Sequence, residues 1–230
     1  MSLPDIQFVD QRALTLIFDI VIFLEQSEIA GETQLGFANA RSSIANAALL
    51  LECIANSCLL ALRLPAKLLQ ELDKLPPISK LDYHLFAVCG QHIDRGSRET
   101  ELATDVLKLR DHIVHPKPKP GMLAGKTEQE YVDYGATKTL DIPLDNRLWG
   151  KQVGVKVSKA VTGFLKKYFL ESCSFSKGQI TTLLVVRERE ILYRMTPSWV
   201  SVNEAEHELL KKWLPEFYDI LDLRVFKKDA

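Results

Sequence analysis

Residues 109–116 read Leu109-Arg110-Asp111-His112-Ile113-Val114-His115-Pro116. An arginine, an acid and two histidines thus close a periodic apolar run, directly before a proline. Upstream, Leu102, Val106, Leu109 and Ile113 recur at helical spacing, which predicts a helix over 98–114. Pro116 biases His115 out of the α region, so the helix is expected to stop there. On an uninterrupted helix, Arg110 and His115 would stand about 140° apart, at ~3.6 residues per turn. The break frees His115 to fold back towards Arg110.

Working outward, the segment before this helix is helical too. Residues 35–64 form the longest apolar run, rich in alanine, with Glu52, Asn56 and Arg63 in one narrow sector of the wheel. Arg41, Ser42 and Asn46 flank that sector. The opposite side carries Ile44, Ala47, Leu51, Ile54, Ala55, Cys58 and Leu62, and the small alanines allow close helix–helix approach. Residues 5–27 form an earlier apolar segment that reads as a helix, with a strand over 18–23 as the lesser alternative, and the stretch from Gly31 to Gly36 breaks it. Pro65 is expected to end the long helix, followed by short helices over 66–75 and 79–89, the latter stopped by Gly90.

Beyond the motif, 116–121 reads as an extended proline-rich segment that exposes Lys117 and Lys119. Residues 121–150 lack a sustained period and read as a long loop with a short strand. Helical order returns over 151–170, with Val153, Val157, Val161, Phe164 and Tyr168 on one face. The character then changes. Residues 179–186 and 191–195 read as two strands around a charged turn. Asn203 with Glu206 is a capping signature for a helix to Leu214, and 216–225 reads as a last helix.

Composition sets the bounds. At 230 residues, with 47% hydrophobic and 26% charged residues, the chain can bury a sizeable core. A net charge of −1 supplies no global basic field to recruit nucleic acid, so any such site must be local. Four scattered cysteines, two of them inside an apolar helix, point to reduced thiols in a cytoplasmic protein. The apolar run 14–24 is too short to span a bilayer and contains Asp19. No membrane segment is expected.

The Arg-x4-His spacing of Arg110 and His115, with Asp111 after the arginine and Pro116 after the histidine, resembles the HEPN family (higher eukaryotes and prokaryotes nucleotide-binding domains). The motif closes a helix that follows a long alanine-rich helix and precedes another amphipathic one. The resemblance covers residues 1–172 and leaves 173–230 unexplained. It implies a HEPN-like helical bundle over 1–172; the strand and helix patterns of 173–230 add a small C-terminal α+β extension, so the expected fold is mainly α-helical. It also implies a homodimer in which two copies of the motif share one cleft. Family members that are ribonucleases use this arrangement without a metal or cofactor. By that resemblance Arg110 stabilises the phosphate, His115 transfers protons and Asp111 orients one of them. Lys117 and Lys119 are candidate contacts to the RNA backbone. A subset of the family carries a tyrosine two positions after the histidine; Lys117 stands there in this chain.

Other readings use the same residues. The dipole of a helix C-terminus favours Arg110, His112 and His115 without any catalysis. Cys89, His92, His112 and His115 are zinc ligands of acceptable type, although no second cysteine follows Cys89. The expectation is a metal-independent endoribonuclease, a toxin or phage-defence effector with RNA or a nucleotide as its partner. The alternative is a non-catalytic HEPN-like nucleotide-binding or protein-interaction scaffold; a protein partner or antitoxin is a further candidate partner.

Overall fold

The chain is known from a computed structural model that describes residues 12–114, 122–124, 131–185 and 199–226. It is mainly α-helical, with a small α+β region at its C-terminal end. Helices α1 (Ala13–Ala30) and α2 (Gln34–Ala61) form a hairpin. Thr33 caps α2 by accepting from the Gly36 N–H. Then follow α3 (Ala66–Leu72), α4 (Pro77–Cys89) and α5 (Arg98–Val114). The expected bounds of α5 hold. Helix α4 stops at Gly90, whose φ of 68° suits a residue without a Cβ.

Helix α2 ends earlier than the sequence suggests, at Ala61 rather than near Pro65. Leu62 and Arg63 turn the chain first, with Arg63 at φ 50°. The steric demand of Pro65 on the residue before it already disfavours helix there. In length and hydropathy α2 resembles a membrane span, but more than half of its apolar window lies inside the fold. Ile44, Ala47, Leu51, Ile54, Ala55 and Cys58 are fully buried. It is the central helix, packed by α1, α4, α5 and α6 (Lys151–Lys166). At the α2–α6 crossing a Cβ on Gly154 would sit 2.8 Å from Ser43 Oγ and 2.9 Å from Leu24 Cδ2. The glycine is what lets the two helices approach.

After α5 comes an antiparallel strand pair, β1 (Met122–Ala124) and β2 (Tyr131–Asp133), where the sequence suggests a loop with one strand. Helix α6 continues as a π-helical turn, Lys167–Ser172, that buries Tyr168 and Phe169.

The C-terminal region departs from expectation. Residues 179–184, read as part of a strand, belong to helix α7 (Lys177–Leu184). A reciprocal capping box decides it: Ser176 accepts from the Gln179 N–H, and the Gln179 side chain accepts from the Ser176 N–H. Thr181 and Thr182 donate back to the carbonyls of Lys177 and Gly178. The second expected strand, 191–195, lies outside the described residues. A strand pair does exist, but from other residues: β3 (Val200–Val202) runs parallel to β4 (Leu223–Val225). Between them lie α8 (Glu204–Trp213), opened by the expected Asn203–Glu206 capping box, and α9 (Phe217–Ile220). The expected last helix is therefore only this short one, because the chain turns at Leu221 and pairs with β3.

The C-terminal helices bury Ile180, Leu184, Leu210, Phe217 and Ile220 in the same core as α1 to α6. Polar contacts reinforce the docking. Lys212 Nζ and Trp213 Nε1 both donate to Glu25 of α1, at 2.6 and 2.8 Å. Lys166 of α6 reaches Asp219 at 2.8 Å.

Candidate functional site

Helix α5 turns Ala103, Val106 and Leu109 to the core, which leaves Arg110 on the flank that faces α2. There Nη2 donates to Glu52 Oε2 at 3.0 Å and Nη1 to Asp111 Oδ1 at 3.1 Å. Nε is sealed from solvent and has no hydrogen-bond partner among the described residues. A guanidinium offers five N–H donors in a fixed fork. Two are taken and one is enclosed, so one N–H on each terminal nitrogen remains for an incoming oxygen. With 27% of the Arg110 side chain exposed, an oxyanion can approach. The acid expected to orient Arg110, Asp111, contacts it directly.

Glu52 belongs to the polar sector that the sequence marks on α2. One turn along, Asn56 Oδ1 accepts from Lys80 Nζ at 2.7 Å, and Lys80 also donates to Asp73 at 2.8 Å. Lys80 is buried, so its amphipathic stem packs in the bundle while its head meets these two oxygens. The α2 sector thus binds one cation from α5 and one from α4. A groove of about 440 Å³ opens beside it, lined by Leu49, Glu52, Cys53 and Asn56 of α2 and by Leu16 of α1.

One helical turn and a half before Arg110 sits an acid that the sequence reading passed over. Asp105 is buried, and its Oδ2 accepts from the backbone N–H of Thr139 at 2.7 Å and of Leu140 at 3.1 Å. Its Oδ1 accepts from Lys108 Nζ at 3.0 Å. Burial pushes the carboxyl upward, but the two amides and the ammonium outweigh it and hold it below its ordinary range. Asp105 therefore returns the chain to α5 after it has left at Val114. Nothing local in the sequence marks this role, since the partners lie 34 and 35 residues away.

His115, Lys117 and Lys119 lie outside the described residues. His112 is half-buried in the last turn of α5. Of the other zinc candidates, Cys89 points its Sγ at the Cys173 carbonyl, at 3.9 Å. The His92 ring stacks on Phe86, and its Nδ1 lies 3.3 Å from Asp82 Oδ1. Among the described residues no three metal-binding side chains converge.

The geometry can hold a phosphate oxygen at a partly exposed, carboxylate-braced guanidinium near the end of a helix. No protein-family model, no curated protein and no solved structure matches the chain.

Proposed function

We propose that the protein is a metal-independent endoribonuclease of the HEPN type that acts as a homodimer. One observation carries this reading. Arg110 is fixed on α5 by Glu52 and Asp111, yet keeps an N–H on each terminal nitrogen, five residues before His115.

The chemistry follows from the residue types. A histidine titrating near neutrality takes the proton of an RNA 2′-hydroxyl. The 2′-oxygen bonds to phosphorus, and charge accumulates on the phosphorane oxygens. The Arg110 guanidinium meets that charge with hydrogen bonds that strengthen as it develops. The bond from phosphorus to the 5′-oxygen breaks, and the departing oxygen takes a proton from the second copy's histidine. The products are a 2′,3′-cyclic phosphate and a 5′-hydroxyl. His115 supplies the proton transfers and Asp111 holds Arg110 in register. Lys117 and Lys119 attract the flanking phosphates.

A second reading also has an observation behind it. Both terminal nitrogens of Arg110 already face carboxylates. That arrangement suits a scaffold in which the arginine braces α2 against α5 and the motif binds a nucleotide or a protein without cleavage.

The test is incubation of RNA with purified protein in EDTA, beside Arg110→Ala and His115→Ala. The nuclease reading expects 2′,3′-cyclic phosphate ends from wild type and a loss of at least about a hundredfold in each variant. The ion pair is partly exposed, so Arg110→Ala is expected to cost no more than about 1 kcal/mol of stability. Folded, dimeric protein that leaves RNA intact would favour the scaffold. Cleavage abolished by EDTA would displace the metal-free route.

A further inference from the structure

Away from Arg110, the C-terminal end of α2, α4 and α7 line a groove of about 670 Å³ that is open to solvent on one side, with His84 at its floor. This lies within the usual range for small-molecule sites, about 300–1,000 Å³. Its apolar walls include Leu62, Val88, Phe175 and Leu183, with Arg63 and Gln179 among the polar residues. His84, only 2% exposed, also lines it.

The hydrogen bonds of His84 assign its tautomer. Nδ1 lies 2.8 Å from the Tyr168 hydroxyl, and that hydroxyl donates to the Leu81 carbonyl at 3.0 Å. A hydroxyl has one proton. With that proton committed to Leu81, Tyr168 can only accept from His84, so Nδ1 carries the hydrogen. Burial pushes the imidazole down to about 4, so at neutral pH the ring is uncharged. Nε2 is then a bare lone pair. It bonds to no described residue. Nor is it among the sealed, unpaired side-chain atoms, which among the described residues are Ser43 Oγ, Arg110 Nε and Glu216 Oε2. It therefore meets the groove. Phe175 packs edge-on against the ring, centroids 6.2 Å apart, which fixes its plane.

We propose that this groove binds a small apolar molecule carrying one hydrogen-bond donor, a phenol or an alcohol, whose O–H is accepted by Nε2 of His84. An acceptor facing an apolar space is a loss that a donor on an apolar body recovers. A carboxylate is excluded at this atom, since it would set lone pair against lone pair. The site shares no residue with the Arg110 constellation, so it stands or falls independently of the nuclease reading.

The probe is p-cresol, with p-xylene as the near-isostere in which a methyl replaces the hydroxyl. Both are titrated into the full-length protein by calorimetry, and the His84 ring nitrogens are followed by ¹⁵N NMR. The expected result is saturable p-cresol binding that shifts the Nε2 resonance, with p-xylene weaker by about three- to tenfold. His84→Phe removes the preference for p-cresol. Because that residue is buried, Val88→Trp at the exposed rim is the second variant; it covers the groove over His84 and abolishes binding of both molecules. Equal affinity for the two probes, an unmoved Nε2 signal, binding that survives Val88→Trp, or no binding up to the solubility limit of p-cresol would each overturn the assignment.

Discussion

Two charged side chains on α5 show how burial decides what an ion pair does. Arg110 is partly exposed and its carboxylate partners are screened by water, so its pairing contributes little to stability and leaves it available to a ligand. Asp105 is buried and receives two backbone N–H groups, those of Thr139 and Leu140. Asp105→Ala is expected to destabilise the protein by about 2–3 kcal/mol at pH 7, because both amides become unsatisfied. The loss carries a pH signature. The folded carboxyl lies below its unfolded value of about 3.9, so its contribution is complete above about pH 5 and is lost as the pH falls through the folded value. Urea unfolding of wild type and variant should therefore show a gap that narrows below about pH 4; a gap constant from neutral pH into acid would remove the role given to Asp105. The sequence shows Arg110 and Asp111 together because they are neighbours on one helix. It marks Glu52 as part of a polar sector without naming its partner 58 residues away. Asp105 and His84 give no signal at all, since a backbone amide from a distant loop and a tyrosine from another helix leave no local pattern.

At the level of elements, helix periodicity was the legible part and short β-branched runs were not. Helix α5 matches its apolar spacing from end to end, and Gly90 stops α4 where a helix-ending glycine should. In 179–186 the isoleucine, threonines and valines suggest a strand, yet Ile180, Thr181 and Leu184 bury one helical face. The Ser176–Gln179 pair three residues apart was the readable signal, and it outweighs β propensity of at most about 1 kcal/mol across the scale. The crossing of α2 and α6 gives a paired prediction from one helix. Gly154→Leu must displace Ser43 and Leu24 and is expected to cost about 1–3 kcal/mol. Gly163→Ala meets nothing within 4 Å on the exposed side of α6 and should be neutral or stabilising by up to about 1 kcal/mol. Thermal unfolding of the two variants checks this. Equal effects would mean that glycine serves helix propensity alone and that the close approach carries no energy.

For the whole molecule, the change of sequence character after residue 172 is a change of pattern within one hydrophobic core. Ile180, Leu184, Leu210, Phe217, Ile220 and Leu221 are all buried in the cluster that contains α1, α2 and α6. Removing six such side chains forfeits on the order of 10 kcal/mol of burial, at about 1.5–3 kcal/mol each. A domain's entire stability is only about 5–15 kcal/mol. The polar docking contacts go too, leaving Glu25 without Lys212 and Trp213. A chain cut after Ser172 is therefore expected to lose cooperative thermal unfolding and to self-associate through the uncovered faces of α1 and α6. Circular dichroism melting with size-exclusion chromatography measures both. Retention of a sharp transition near that of the full chain would show that the first 172 residues fold by themselves, and that the C-terminal helices are added to a bundle already complete.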